Sequence, residues 1–175
     1  QLLGGAGMVY AGLKSINKHN ALLTVIGKNF NKSLINKDKN ILFFEHNGAS
    51  IIKQRYWIDN NKILQINYGN EKKIRNIKKI QSKIILKINK IIKNFNSLII
   101  SDYRRGLFDK NFLSKILELC KKNKITTYAD QQLSDHKSSL EIFKNFDYLV
   151  INENELNKSS KKNIVKKKSI QENTK

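Results

Sequence analysis

The sequence predicts an α/β protein, and three observations carry that reading. In the second half, short apolar runs at 97–102 ("SLIISD"), 125–130 ("ITTYAD") and 147–152 ("DYLVIN") alternate with helical patterns. Strands alternating with helices imply a parallel sheet wound with right-handed crossovers. These runs finish in Asp102, in Asp130, and in Asn152 with Glu155 close behind. Polar and acidic groups thus gather at the carboxyl ends of strands, where open α/β sheets bind ligands, although Asp and Asn also suit loops and caps. Third, "LLGGAGMVYAGLKS" (2–15) is a Gly-Gly turn running into a helix of small and apolar residues. Such a turn lets backbone N–H groups approach a ligand at a helix N-terminus, or lets a helix start under tight packing.

The opening glycines match neither standard nucleotide pattern. A phosphate loop needs Lys directly after its last Gly, and here Leu13 separates Gly12 from Lys14. The dinucleotide fingerprint fails because Tyr10 stands where its third Gly belongs. After this helix, 21–27 ("ALLTVIG") reads as a buried strand and Phe30 to Asn36 as a polar helical turn. The stretch 41–69 breaks at Asn47-Gly48 and Asn60-Asn61 and is rich in β-branched and aromatic residues between the breaks. It predicts a small antiparallel meander carrying Lys53, Arg55 and Gln65 among its polar side chains. From Glu71 to Asn96 the residues Ile74, Ile77, Ile80, Ile84, Ile88, Ile91 and Phe95 recur every three or four positions, predicting one amphipathic helix with a lysine-covered outer face. Asp109 reads as an N-cap for a helix whose buried face holds Phe112, Leu113, Ile116, Leu117 and Cys120. A short helix is expected over 137–144, and the polar stretch 157–175 is expected to be a disordered tail.

With 175 residues, 39% of them hydrophobic, the chain suits one domain with a real core. No apolar run approaches the roughly 20 residues that span a bilayer, and the single Cys excludes an internal disulfide framework, so a cytoplasmic protein without a membrane partner is expected. The formal charge of +20 rests on 30 Lys and only 4 Arg, beside 23 Asn and 25 Ile and no Pro. Lys, Asn and Ile belong to adenine- and thymine-rich codons, so base composition accounts for the charge. A nucleic-acid partner is therefore not expected, since a phosphate-reading surface favours the planar fork of Arg.

The ordered pieces "LGGAG", "IIKQRYWIDNNKILQIN", "ISDYRRG", "YADQQ" and "VINENEL" resemble the ribokinase-like (PfkB) family of carbohydrate kinases, most closely its heptose-phosphate kinase branch in surface-polysaccharide synthesis. The resemblance runs from Leu3 to about Leu156. It implies a three-layer, Rossmann-like α/β sheet with a β-meander lid over the sugar, the lid falling at about 41–69, and it implies ATP and Mg²⁺ as cofactors. In the family the Gly-Gly turn approaches the sugar, which assigns Gly4 and Gly5 to substrate. Lys53 and Arg55 match the basic pair of the lid strand, and Asp102 and Gly106 match the "S-D-Y-x-x-G" loop beside the sugar. Asn152 and Glu155 match the "N-x-x-E" motif that positions magnesium and triphosphate, with Glu155 acting through metal-bound water. Asp130 falls at the strand end that faces the nucleotide side.

The sequence departs from the family at three places. Met8 stands where an Asn usually binds sugar hydroxyls, Gln131 and Gln132 replace a frequent Pro-Lys, and no "G-A-G-D" loop carrying the catalytic base occurs in the 175 residues. The resemblance therefore implies a partial kinase domain over 1–156, a sugar or sugar-phosphate ligand, a homodimer through the lid, and no catalytic base in this piece. The alternative is a non-catalytic remnant that binds sugar or pairs with a subunit.

Overall fold

A computed structural model describes residues 3–69, 74–131 and 140–153. The chain divides into two compact units, one running to Phe95 and including Arg105–Leu107, the other formed by Asn96–Arg104 and residues from Phe108 onward. The described strands pair into three small sheets, and with three helices they make a mixed α/β protein.

In the first unit, helix α1 (Gly5–Ile16) leads into strand β1 (Leu22–Gly27), and a 3₁₀ turn at Lys32–Leu34 precedes strand β2 (Ile41–His46). β1 and β2 are parallel, with Leu22 opposite Ile41 and Gly27 opposite His46. This corrects the expected meander, because 41–46 is no part of an antiparallel lid. The excursion over 28–40 is about the dozen residues a parallel crossover needs. Ile41 then joins Tyr10, Ile26 and Ile35 in a buried cluster, flanked by Leu22, Phe30 and Phe43. Asn47-Gly48 does not make a tight hairpin. Its loop folds back on the end of β1, where Lys28 N–H donates to the Gly48 carbonyl (2.9 Å) and Gly27 N–H donates to Ser50 Oγ (2.6 Å).

Strands β3 (Ile52–Ile58) and β4 (Asn61–Tyr68) form the antiparallel hairpin. Its two-residue turn is Asp59-Asn60, one residue earlier than the sequence suggested, and both residues have positive φ (44° and 66°), as a primed turn requires. The predicted long helix is shorter than its apolar pattern. α2 covers Ile77–Ile91 and passes into a 3₁₀ turn at Ile92–Asn94, while Asn76 in the left-handed region marks its start. Ile80, Ile84 and Ile88 are buried together with Gln81, whose Nε2 donates to the Leu107 carbonyl at 2.9 Å.

The second unit holds strands β5 (Ser97–Asp102), β6 (Thr126–Gln131) and β7 (Tyr148–Val150) in one parallel sheet of order β5-β6-β7. Helix α3 (Lys110–Lys122) connects β5 to β6, capped as predicted by Asp109, which accepts the Phe112 N–H at 2.9 Å. Phe112, Leu113, Ile116 and Cys120 are buried, with Ile100, Ala129, Phe143 and Phe146, while Leu117, expected on the same face, is half-buried. Of the expected helix over 137–144, residues 140–143 form a 3₁₀ turn and 137–139 lie outside the described residues, as do Gln132, 71–73 of the expected long helix and the 157–175 stretch. No helix among the described residues is long and apolar enough to cross a membrane.

Candidate functional site

Gly4 is the N-cap of α1, with extended backbone (φ −83°, ψ 179°), and its carbonyl accepts the N–H groups of Gly7 (2.7 Å) and Met8 (3.2 Å). A Cβ added at Gly4 would meet nothing within 4 Å, whereas one at Gly7 would fall 2.5 Å from Leu3 Cβ. Gly7 is thus the glycine of close packing. Gly4 is the open one, and Gly5 beside it begins the helix half-buried. Met8, at the position where the resembled kinases carry an Asn, is 58% exposed.

Lys14 is not a phosphate-loop lysine in this fold. Its Nζ lies 2.5 Å from Asp38 Oδ2, and Tyr10 Oη donates to the same oxygen at 2.8 Å. The Lys14 and Tyr10 hydrogen bonds hold the Asp38 carboxyl below its usual range; the bond to Asp38 raises Lys14, and burial raises Tyr10. This clip fastens α1 to the turn before β2.

The cations on the hairpin share one face of it. Register places Lys53 opposite Asn67 and Arg55 opposite Gln65. Arg55 Nε donates to Gln65 Oε1 (3.0 Å), and Gln65 Nε2 donates to Asn67 Oδ1 (3.1 Å). Lys53 and Arg55 are exposed, and among the described residues no hydrogen bond joins either side chain to Gly4 or Gly5.

Asp102 ends β5, Asp130 is the penultimate residue of β6, and Asn152 follows β7, so the structure brings these three to the carboxyl edge of one sheet. They do not share a face. Asp102 is paired with Gln131, and Asp130 with Ser101 and Val150, which alternation puts on the opposite side. Asp102 is buried at 6% exposure, and its two oxygens are engaged: Oδ1 accepts the Arg104 N–H (2.8 Å), and Oδ2 accepts Gln131 Nε2 (3.1 Å). The carboxylate therefore shapes the loop after β5, where Arg104 (φ 58°) and Gly106 (φ 76°) adopt left-handed backbone. Glu155 lies outside the described residues.

Sequence reasoning missed three positioning groups. Gln131, read only as a departure from Pro-Lys, is buried at 1% exposure against Asp102. The signal was the alternation in "TTYADQ", which puts residue 131 on the same face as Thr127 and Ala129. Asp147 accepts the Thr127 N–H (2.8 Å) and Oγ1–H (2.7 Å), fixing the entry to β7, and these bonds hold its carboxyl below the usual range. Ser50, with its N–H on Asn29 Oδ1 and its Oγ on Gly27, stitches the loop after β2 to β1, and no local pattern marks it.

Among the described residues no group of three or more His, Cys, Asp or Glu side chains could hold a metal ion by itself.

The chain is similar to proteins described as "Bifunctional protein HldE". Identity is 28% over 142 residues with that of Aliarcobacter butzleri (strain RM4018), covering 77% of this chain and 29% of the relative. It is 27% over 134 residues with that of Campylobacter jejuni subsp. jejuni serotype O:2, covering 76% and 28%. With that of Campylobacter curvus (strain 525.92) it is 24% over 166 residues, covering 90% and 34%. The chain thus spans about a third of these relatives or less, and the likeness supports a relationship to them at the family level. No protein-family model matches the sequence. Among solved structures, a PLP-bound putative aminotransferase from Clostridium difficile 630 aligns at a TM-score of 0.30 and 17% identity over 82% of this chain and 36% of that one, a likeness too low to carry an argument.

Proposed function

We propose that this chain is the sugar-binding part of an ATP-dependent carbohydrate kinase of the heptose-phosphate kinase type, acting in the cytoplasm. One observation carries the reading. The chain carries in order the motifs that resemble such kinases, and it is similar to HldE proteins over 76–77% of its length for two of them. Each unit by itself carries features that support it: in the first, an open glycine at the start of α1 and a cationic hairpin face; in the second, Asp102, Asp130 and Asn152 at one carboxyl edge. In this reading the whole enzyme folds as a three-layer α/β sheet.

Each group then has a task. Gly4 and Gly5 admit sugar hydroxyls to backbone N–H groups. Lys53 and Arg55 bind the phosphate or hydroxyl-rich end of the sugar. Asp102 holds the loop that carries Gly106 beside it. Asp130, Asn152 and Glu155 face the nucleotide, with Glu155 reaching Mg²⁺ through water. Magnesium bound to ATP supplies charge neutralisation on the transferring phosphoryl group, and positioning and electrostatics account for most of the rate in such transfers. The sequence holds no Gly-Ala-Gly-Asp loop. A positioned base typically contributes on the order of 10²–10⁴-fold, so these 175 residues bind sugar phosphate without transferring phosphoryl groups to it.

The test is to incubate the purified chain with ATP, Mg²⁺ and heptose, fructose or ribose phosphates, following ATP consumption and thermal midpoint. The expected result is stabilisation by a sugar phosphate without sugar-dependent turnover. Turnover within a factor of ten of a full-length relative and abolished by Glu155→Ala would overturn the assignment of the base. No response to any sugar or sugar phosphate would overturn the kinase reading. The second reading, a subunit-pairing remnant, is favoured by the exposed apolar side of the hairpin, where Ile52, Tyr56, Leu64 and Tyr68 are 37–50% exposed.

A further inference from the structure

The hairpin has two unlike sides. Ile52, Tyr56, Leu64 and Tyr68 share one of them by register and alternation, and Lys53, Arg55, Gln65 and Asn67 share the other. The polar side is a row of donors. Apart from the turn residue Asp59, 52–68 contains no acidic residue. Within this row the hydrogen bonds run in one direction. Asn67 Oδ1 accepts a hydrogen bond from Gln65 Nε2, which orients the Gln65 amide so that Oε1 faces Arg55 Nε. Among the described residues the two Nη nitrogens of Arg55 and the Lys53 ammonium have no partner in the chain. An arginine anchored through Nε keeps its Nη groups for another ligand, and their planar geometry matches a phosphate.

We infer that Gln65, backed by Asn67, is a positioning residue that holds the Arg55 guanidinium ready to grip a phosphate group. The inference rests on the kinase reading for its assignment of Lys53 and Arg55 to substrate, and it adds which residues hold the cation. A free arginine side chain loses several rotors when it binds; one already tied through Nε loses fewer, and affinity rises by that difference. The bulge between Tyr56 and Trp57, where Ile63 is the extra residue of β4, places Trp57 two residues beyond Arg55 on the same strand. Trp57 is 58% exposed and is the single Trp of the chain, so its fluorescence reports on this face.

The experiment titrates the full 175-residue chain with inorganic phosphate, fructose 6-phosphate and fructose at constant ionic strength. Trp57 emission and the Arg55 Nε–Hε resonance are the readouts. The unaltered chain is expected to bind both phosphates saturably and fructose more weakly than fructose 6-phosphate. Loss of one side-chain hydrogen bond corresponds to a factor of about two to ten, so Gln65→Ala is expected to weaken phosphate binding by that factor and to broaden or shift the Arg55 resonance. Gln65→Glu keeps an acceptor for Nε but adds a negative charge, and it is expected to preserve the Arg55 resonance while weakening phosphate binding further. A merely structural role would leave these two variants alike. Full affinity in Gln65→Ala with binding lost in Arg55→Ala would overturn the positioning role and leave the kinase reading intact. Phosphate binding indifferent to Arg55→Ala, or no phosphate binding at all, would overturn the site. Fructose bound as well as its phosphate would overturn the phosphate grip of Arg55 while the sugar-kinase reading stood.

Discussion

Asp102 shows how a residue type readable as chemistry serves geometry. Its two oxygens are engaged by the Arg104 N–H and the Gln131 amide at 2.8 and 3.1 Å, so its removal unseats a loop. Asp102→Ala is expected to leave a buried amide without its acceptor, costing about 1–3 kcal/mol in urea unfolding. Asp147 provides the pH dependence. Its folded pKa is depressed by the Thr127 hydroxyl and N–H, so the stability it contributes is present above the ordinary Asp value of about 3.9 and is lost as pH falls through the lower folded value. Thr127→Val removes the hydroxyl donor and is expected to flatten that acid limb, measured as the denaturant midpoint between pH 6 and pH 3. Cys120 is the inert counterpart. Burial, with the Asp147 charge adding to it, pushes its thiol up to about 11, so alkylation at pH 8 is expected to be slow in the folded chain and fast in urea.

At the scale of elements, the caps and turns follow local rules and the strand partners do not. Asp109→Ala is expected to cost about 1 kcal/mol through the lost cap on α3, read from chemical denaturation. The loop after β2 is a sterner case. A Cβ at Gly27 would lie 2.2 Å from Ser50 N and 2.4 Å from the Ala49 carbonyl carbon, both backbone. Gly27→Ala is therefore expected to cost at least about 1–3 kcal/mol, as overpacked sites do, with the largest amide shifts in the 48–51 loop. The same loop explains why 41–46 runs parallel to β1. Once Gly48 and Ser50 are bonded to the end of β1, the Asn47-Gly48 break can no longer close a hairpin.

For the whole molecule, the exposed apolar surface is the dominant fact. Ile58 and Ile63 are each 61% exposed on the hairpin, and Ile99, Tyr148 and Val150 are 45–59% exposed on the β5-β6-β7 sheet. Tyr128 and Tyr148 stack there with ring centroids 4.8 Å apart. A two-stranded hairpin is marginal on its own, so its apolar side gains from a partner. We propose that two copies pair through it. Sedimentation is expected to show concentration-dependent association that Tyr56→Lys with Leu64→Lys abolishes; a monomer at all concentrations would overturn the pairing.

What the sequence by itself determined is local. The α/β class, the cap at Asp109, the buried face of α3 and the order of strands from 97 onward all depend on patterns within a few residues, and the structure repeats them. So does the gathering of Asp102, Asp130 and Asn152 at one edge, because in a parallel sheet with helical crossovers all carboxyl ends lie together. Tertiary structure decided what periodicity cannot encode. It made 41–46 a parallel partner of β1, through Ile41 packing on Tyr10 and Ile26. It shortened the isoleucine-rich helix at Asn76, whose left-handed backbone leaves Ile74 outside. It also split the acids at one edge between two faces, because a register of one residue in a pleated strand reverses the side chain, and that register is set by contacts between strands far apart in the chain.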